Sequence, residues 1–451
     1  PENFYDLVIE VAIVRPGPIQ GKMVHPYLKR RRKLEDSKCP DPRMEPILSR
    51  TLGVPLFQEQ VMKIAMVMAD FTPGEADELR RAIGAWRSSG SIEKMGNRLK
   101  QGLLANGLAQ EFVDRIFQQI QGFAEYGFPE SHAASFALLA YASSYLKCHY
   151  PAEFTCALLN SQPMGFYSSY TLVEDVKRQG VKVLPLNPQF SNWDCTLEQG
   201  AIRMGWRMLQ GLGRAEADEV FKERAIRQFS GLRDFLSRVR LSLRMLNRLA
   251  MGDAFACYGI SQREALWEIL HLQVCRPAPV REQQLNLFQF VAESLPNSAL
   301  FTPLSLYQAI QSDYESYHLS VKGHPMMGLR ADPELKKNLP PGNTATLKKM
   351  IAGQVTRIAG LVIIRQRPPT AKGTMFATLE DEYGFADLIL HAKTFEKYKP
   401  CFESSPFVLV AGKIQRDGEL VNLLVSFVGP LFQHSSGLPE APLLAAGNYI
   451  F

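Results

Sequence analysis

The chain has 451 residues, with 51 Lys or Arg against 45 Asp or Glu and a formal net charge of +6. A hydrophobic content of 46% and a charged content of 21% are typical of a globular protein with sizeable cores, and they exclude a disordered or collagen-like chain. At roughly 100–200 residues per domain, this length predicts about two to four domains.

The chain begins at Pro1 within an apolar helical pattern that includes Phe4 and Val8, and it has no initiating methionine. We therefore expect a piece cut from a longer protein. Its longest apolar runs, such as residues 133–142, are shorter than the ~20 residues that span a bilayer, so no membrane partner is expected. The seven cysteines form no Cys-x-x-Cys pair, which argues against a disulfide framework and favours a reducing compartment.

Residues 1–160 are predicted to be mainly helical. Residues 57–68 repeat apolar side chains with the helical period of 3.6. The sequence Thr-Pro-Gly-Glu at residues 72–75 then predicts a helix start, because the Thr can cap the helix, the Pro suits its first position and the Glu completes a capping box.

Three arginines in this half are candidate phosphate ligands. The sequence Val-Arg-Pro-Gly-Pro at residues 14–18 predicts a rigid turn that would hold Arg15 in place. Arg80 and Arg81 lie on the helix that follows residue 72, and guanidinium groups along a helix are suited to bind phosphate oxygens. A salt-bridged loop arginine and a solvated helix face are the alternatives that stay open.

An aromatic-Gly-aromatic-Pro sequence at residues 126–129 leads into a predicted helix near His132. This elbow could present the His132 side chain and backbone N–H groups to an anion or a base. The alternative is that His132 serves as a helix cap or a core partner, which is commoner for a single histidine at a helix start.

Residues 205–270 change to short helices joined by turns that contain glycine, within an arginine-rich stretch at residues 201–250. Residues 276–300 are rich in Pro and Gln and are predicted to be a linker. This linker contains Gln-Leu-Asn-Leu-Phe at residues 284–288. Exposed apolar side chains favour docking into an apolar groove. The alternative is that they pack back onto their own domain.

Five segments with period-2 patterning occupy residues 346–428, and Asp-Gly at residues 417–418 predicts a hairpin turn. These features predict a small closed barrel of the OB type. The cations Arg365, Arg367 and Lys372 lie in its first hairpin, where such barrels bind single strands. Phe376 and Phe385 could stack on bases or fill the core, and we favour a core position for at least one.

Clustered carboxylates of the Asp-x-Asp type, which two-metal phosphoryl transfer requires, do not occur in the sequence. The densest acidic segment, Leu-Glu-Asp-Glu at residues 379–382, is interpreted as a turn that closes a barrel strand. The sequence therefore predicts no metal-ligating or catalytic residue within this chain.

In their order along the chain, these motifs resemble the C-terminal half of bacterial C-family DNA polymerases, the DNA polymerase III alpha subunit group. The resemblance covers about residues 1–430. It is carried by residues 14–18, 53–62, 74–81, 126–136, 145–151, 159–167, 193–197 and 365–382. Gly84 is followed by Ala-Trp, as in the error-prone branch, where the replicative branch usually has two lysines.

The resemblance implies a multidomain α+β fold with mainly helical parts followed by an OB-type barrel. The implied domains are fingers at 1–184, a helix-hairpin-helix region for duplex and clamp binding at 185–300, a helical linker at 301–345, an OB-fold single-strand-binding domain at 346–430, and a loosely ordered tail at 431–451.

The resemblance also implies the roles of individual residues. The implied nucleotide-binding residues are Arg15, Arg80, Arg81, His132 and Lys147. The implied DNA-binding residues are Gly211, Gly213, Arg365, Arg367 and Lys372. Gln284, Leu285, Leu287 and Phe288 stand where the replicative branch has its sliding-clamp peptide.

The implied parent protein is a cytoplasmic error-prone DNA-directed DNA polymerase that serves DNA replication, damage-induced mutagenesis and translesion synthesis. It would use Mg²⁺, dNTPs and a primed template, with a sliding clamp and accessory mutagenesis proteins as partners. In this family the polymerising acids belong to the palm, which would precede Pro1, so we expect this chain alone to be inactive. A non-catalytic DNA- and clamp-binding protein from a truncated gene is the alternative.

Overall fold

The computed structural model of the protein describes residues 1–14, 24–37, 39, 41–84, 91–123, 129–165, 167–274, 301–368 and 371–431. The chain divides into two compact units, Pro1–His149 and Tyr150–Phe451. Each unit has its own hydrophobic core, and the second unit contains a further core inside a barrel.

The first unit is built from helices. In chain order they are α1 (Phe4–Ile13), α2 (Val24–Arg31), α3 (Glu45–Leu48), α4 (Gln58–Ala69), α5 (Pro73–Gly84), α6 (Ser91–Ala105), α7 (Gln110–Phe123) and α8 (Glu130–His149). The predicted helical period at residues 57–68 is confirmed, because α4 buries Val61, Ile64 and Met68 on one face. These side chains share a core with Leu103 of α6 and Val113 of α7.

The predicted capping box at the start of α5 is also confirmed. The Thr72 backbone N–H donates to Glu75 Oε2 at 2.8 Å, and the Glu75 N–H donates to Thr72 Oγ1 at 3.3 Å. Two N–H groups that a helix end leaves without partners are satisfied in this way. The cap fixes where α5 begins and therefore which way its arginines point.

The second unit begins with a helical part and a small sheet. Its helices are α9 (Pro151–Asn160), α10 (Ser169–Arg178), α11 (Arg214–Ile226), α12 (Leu232–Arg238), α13 (Leu243–Met251), α14 (Gln262–Val274), α15 (Leu306–Tyr317), α16 (Pro325–Ala331), α17 (Pro333–Lys336) and α18 (Thr344–Lys349). The sheet has strand order β1 (Val183–Leu184), β3 (Ala201–Arg203), β2 (Thr196–Glu198), with β1 parallel and β2 antiparallel to β3. Trp206 and Phe235 are fully buried at the centre of this part.

A closed five-stranded barrel completes the second unit. Its strands are β4 (Val355–Gln366), β5 (Met375–Asp381), β6 (Gly384–Leu390), β7 (Phe407–Asp417) and β8 (Leu420–Pro430), and helix α19 (Ala392–Ser404) joins β6 to β7. The closed order is β4-β5-β6-β8-β7, with only the β6–β8 pair parallel. This order is that of an OB-type barrel, so the predicted α+β fold with a C-terminal barrel is confirmed.

Residues 150–184 belong to the second unit by their packing. Leu159 of α9 and Val173 of α10 are fully buried in the same core as Trp206. The predicted fingers domain at 1–184 therefore extends across the division between the two compact units. That domain is a functional division, and its limits stay a prediction.

A buried carboxylate of α15 makes the stability of the second unit depend on pH. Asp313 is 1% exposed, and its Oδ1 accepts a hydrogen bond from Lys322 Nζ at 2.6 Å. Burial raises the pKa of Asp313 to about 6, although Lys322 and Ser320 act in the opposite direction. Since the folded state binds this proton more tightly than the unfolded state, the stabilising contribution is complete below about pH 4 and is lost as the pH rises through 6.

We therefore expect the free energy of unfolding of the wild type, relative to Asp313→Asn, to fall by about 2 kcal/mol between about pH 4 and pH 7. Denaturant unfolding of both proteins across this range measures the difference. Asp387→Asn, which changes an exposed carboxylate on the barrel, is the control and should show no such trend. A constant difference between wild type and Asp313→Asn would contradict the assignment.

Candidate nucleotide and DNA interface

Arg80 and Arg81 are held side by side on α5 by one carboxylate. Arg80 Nε donates to Asp77 Oδ1 at 2.8 Å, and Arg81 Nη2 lies 2.8 Å from Asp77 Oδ2. The Arg80 guanidinium beside Asp77 lowers the pKa of that carboxyl. Arg81 is 74% exposed at its side chain, so two positive charges face solvent against a single negative one. This arrangement suits a polyanionic ligand.

Asp77 was not predicted as part of this site. Its position three and four residues before the two arginines is the spacing at which helical side chains meet, so the sequence did contain the signal.

His132 and Lys147 lie on α8 but are far apart. The His132 ring meets Phe136 edge-on, with 4.8 Å between ring centroids. Lys147 lies in the last turn of the same helix. Fifteen positions at 1.5 Å per residue separate them by about 22 Å, so one small anion cannot contact both side chains. Only Ala133 and Ala137 are buried in this helix.

The N-terminus of α8 already has an acidic partner. The Glu130 backbone N–H donates to Glu59 Oε2 at 2.9 Å, and Tyr5 Oη donates to Glu130 Oε1 at 2.6 Å. The Arg50 guanidinium lies 3.6 Å from the centroid of the Tyr5 ring. The first N–H group of α8 is therefore occupied by the protein's own carboxylate, which weakens the prediction that this helix start presents N–H groups to an anion.

The glycine hairpin before α11 has the backbone conformation that a close approach requires. Gly211 has φ +77°, and a Cβ built there would lie 2.8 Å from Arg248 Nη1. Arg248 donates to the Gln210 carbonyl and so places a positive charge beside the hairpin. The Gly213 N–H donates to Glu216 Oε2 at 2.8 Å, so this N–H group is not available to a phosphate unless Glu216 moves.

The three barrel cations differ in their surroundings. Arg365 donates to the carbonyls of Phe402 at 3.2 Å and Ser405 at 3.4 Å, near the end of α19, and burial lowers its pKa. Arg367 lies 3.1 Å from Glu396. Lys372 is exposed, with φ +49°. Arg365 thus serves the fold of the barrel, whereas Lys372 is open to solvent.

Phe376 and Phe385 both lie on the outer surface of the barrel. Phe376 is 38% exposed and Phe385 is 37% exposed, so the expectation that at least one fills the core is wrong. The alternation along β5 and β6 explains the outcome, because Ala377 and Ala386, their neighbours in sequence, point inward. The Arg178 guanidinium lies 4.5 Å from the Phe385 ring centroid.

Other predicted site residues lie outside the described residues. These are Arg15, Gln284, Leu285, Leu287 and Phe288, together with residues 432–451 of the predicted tail. Within the described ranges, no helix is long and apolar enough to cross a membrane. The same ranges contain no group of three or more His, Cys, Asp or Glu side chains placed to hold a metal ion.

Comparison with known proteins shows a similarity to DNA polymerases. Residues 1–107 match the bacterial DNA polymerase III alpha subunit finger domain, and residues 180–265 match a helix-hairpin-helix motif. Error-prone DNA polymerase 1 of Agrobacterium fabrum (strain C58) is 46% identical over 94% of this chain and 40% of its own length. The chain is therefore similar over 94% of its length to an error-prone DNA polymerase, and over residues 1–107 to the finger domain of the DNA polymerase III alpha subunit.

Two further relatives show the same extent of similarity. The error-prone DNA polymerases of Anaeromyxobacter sp. (strain K) and Pseudomonas fluorescens (strain Pf0-1) are 44% and 43% identical over 96% and 97% of the chain. The chain spans 38–42% of the length of these relatives. A solved asparaginyl-tRNA synthetase of Pyrococcus horikoshii aligns with 20% of the chain at a TM-score of 0.18, which is too low to support an argument.

The different surroundings of Arg365 and Lys372 predict different effects on stability. Arg365→Gln should lower the free energy of unfolding by about 1–3 kcal/mol, because carbonyls near the end of α19 lose their charged donor. Lys372→Gln should change it by less than about 0.5 kcal/mol, as exposed substitutions usually do. Denaturant unfolding of the two variants tests this, and equal stabilities would contradict the structural role of Arg365.

Proposed function

We propose that the full-length protein is an error-prone DNA-directed DNA polymerase that acts in damage-induced mutagenesis and translesion synthesis in the cytoplasm. The carrying observation is the similarity over 94–97% of the chain to proteins named error-prone DNA polymerase, with finger and helix-hairpin-helix matches in the expected order. Within that protein, this chain would bind the incoming dNTP, the primed duplex and the single-stranded template.

The polymerisation chemistry would require Mg²⁺, and the described residues do not fit a Mg²⁺ site. The densest carboxylates, Glu380, Asp381 and Glu382, are bound to Arg and Thr side chains and are not clustered on open surface. We propose that the Mg²⁺ ligands and the polymerising acids belong to the part of the relatives' length that this chain does not span. The role of the described residues is then to bind and orient substrates.

The Asp77-bound pair of Arg80 and Arg81 is the proposed triphosphate ligand of the first unit, with Arg15, His132 and Lys147 as further candidates. Two guanidinium groups can each give two hydrogen bonds to phosphate oxygens. Asp77 holds them in place before the nucleotide binds, which lowers the entropy lost on binding. The separation of His132 and Lys147 along α8 means that at most one of them contacts the same phosphate group.

In full-length enzyme, Arg81→Gln should raise the KM for dNTP about 5- to 30-fold, because one charge-assisted contact of about 1–2 kcal/mol is lost. Steady-state primer extension at varied dNTP concentration measures this effect. Arg115→Gln, an exposed arginine on another helix of the same unit, is the matched control and should leave KM unchanged. An unchanged KM in Arg81→Gln would remove this residue from the nucleotide site.

The hairpin at Gly211 and Gly213 is the proposed duplex contact. Phosphate contacts of this kind bind DNA without reading its sequence. The positive φ of Gly211 and the adjacent Arg248 support the proposal, since backbone and cation could approach the same phosphate.

Gly211→Ala should weaken binding of a primed duplex about 5- to 30-fold, because the added Cβ displaces Arg248 and alters the hairpin. Gly180→Ala is a matched control. Gly180 has a similar φ of +86° but open space around its Cβ position. Gly180→Ala therefore introduces the same backbone strain as Gly211→Ala without displacing an arginine. Fluorescence anisotropy on the 451-residue chain measures both affinities. Equal losses in both variants would show that strain, and not contact, explains the effect.

The barrel and the linker complete the proposal. The single-stranded template would contact Lys372, Arg367 and the exposed ring of Phe376. Arg365 would stabilise this part of the barrel through its bonds to backbone carbonyls. Gln284, Leu285, Leu287 and Phe288 would bind a sliding clamp, and accessory mutagenesis proteins are further proposed partners.

Replacing Leu287 and Phe288 with Ala should abolish binding to the sliding clamp in surface plasmon resonance, because these side chains would provide the apolar contact. Val291→Ala, in the same segment but outside the proposed peptide, is the control. Retained binding by the double variant would place the clamp contact elsewhere.

A further inference from the structure

The acidic segment at residues 379–382, interpreted from the sequence as a turn that closes a barrel strand, lies mainly in the strand itself, and only Glu382 is in the turn. Glu380 and Asp381 are the last residues of β5, and both are fully buried. Their partners lie outside the barrel. Glu380 Oε2 accepts from Tyr170 Oη at 2.8 Å, and Glu380 Oε1 accepts from Arg178 Nη1 at 2.8 Å. Both donors belong to α10, so one helix of the helical part binds one barrel carboxylate twice.

The two following acids bind two further helices, of which α18 packs on the barrel through Leu347. Asp381 Oδ2 accepts from the Thr344 backbone N–H at 2.8 Å, and Asp381 Oδ1 accepts from the Thr344 hydroxyl. These bonds secure the first residue of α18. Glu382 Oε1 lies 2.7 Å from Arg330 Nε on α16. Three consecutive acids of the barrel thus contact three different helices.

Apolar packing joins the same two parts. Leu361 of β4 and Phe407 of β7 are 3% and 7% exposed, and both belong to the core that contains Trp206 and Phe235. The barrel core proper is a separate cluster. One end of the barrel is therefore inserted into the helical core, and the acidic residues lie along that contact.

Burial determines how much the acidic residues contribute to the stability of the contact between the barrel and the helices. It raises the pKa of Glu380 despite the two hydrogen bonds and the nearby Arg178, so removal of this carboxylate from water is only partly compensated. Buried ion pairs of this kind add little net stability but disfavour every arrangement in which a partner is missing. They therefore select one orientation rather than simply strengthen the contact.

We propose that Glu380, Asp381 and Glu382 are positioning residues that hold the barrel in one orientation on the helical part, so that single-stranded template meets a fixed barrel surface. The inference rests on the proposed function for the path of the template strand. In this proposal the barrel keeps a fixed orientation relative to the helix-hairpin-helix part and is not connected to it by a flexible linker alone. Arg178 and Arg330 are the positioning partners on the helical side, and Thr344 binds Asp381 from α18, which packs on the barrel.

Arg178→Gln and Thr344→Val test the proposal in the 451-residue chain. Arg178→Gln leaves Glu380 without its cation, and Thr344→Val removes one donor to Asp381 with little change in volume. Arg203→Gln is the control, since the buried Arg203 forms an ion pair with the exposed Glu198 within the small sheet. Hydrogen–deuterium exchange should become about tenfold faster in α10, α16 and α18 of the Arg178 variant, while β7 and β8 keep their protection.

DNA binding provides a second measurement, which a general loss of stability would not change selectively. Wild type should bind a primed duplex with an overhang of about 12 nucleotides more tightly than a blunt duplex, since an OB-type barrel covers about 4–16 nucleotides. Arg178→Gln should lose most of this gain and keep its affinity for blunt duplex. Thr344→Val should do the same to a smaller extent. The double variant Arg178→Gln, Glu380→Gln should recover part of the gain, because no buried charge is left unpaired.

Several results would overturn the proposal. One is unchanged exchange in the three helices, and another is an overhang gain that Arg178→Gln leaves intact. Loss of protection in β7 and β8 would show that the acids serve the barrel's own stability, and an equal effect of Arg203→Gln would show a general loss of structure. If wild type itself shows no overhang gain, the proposed template contact fails, and the exchange data alone then decide whether the acids position the barrel.

Discussion

Carboxylates buried at the end of a strand must find their counter-charges inside the protein, and this requirement ties the barrel of the second unit to its helices. Glu380 has no contact with solvent, so its partners Tyr170 and Arg178 have to be brought to it by the fold. The two parts share apolar side chains at the same contact. The proposed duplex contact at Gly211 and the proposed single-strand contact at Lys372 both belong to this second unit.

The positively charged side chains of this protein fall into two classes. Some arginines serve the fold: Arg224 donates to the carbonyls of Pro188 and Ser191, and Arg365 donates to those of Phe402 and Ser405. Burial lowers the pKa of both. Others remain available at the surface, such as Arg81 and Lys372. Net charge alone therefore overstates the number of cations that can bind DNA.

Features that depend on neighbouring residues could be predicted from the sequence. The capping box at Thr72, the buried face of α4 and the hairpin turn at Gly418, which has φ +60°, all follow from short-range spacing. The acidic segment at 379–382 could not be interpreted in the same way, because its partner Arg178 lies 202 positions away in the chain. The structural role of Arg365 could not be predicted either. It donates to backbone carbonyls, which every residue has, so no residue type in the sequence marks its partners.

We propose that this chain itself contains the phosphate contacts for primed DNA. The most direct test is the affinity of the 451-residue chain for a primed template at several salt concentrations. The account predicts a linear fall of log affinity with log salt, amounting to at least about tenfold between about 50 and about 200 mM NaCl, as expected when two or more phosphates are neutralised. A change of less than about twofold over this range would contradict it.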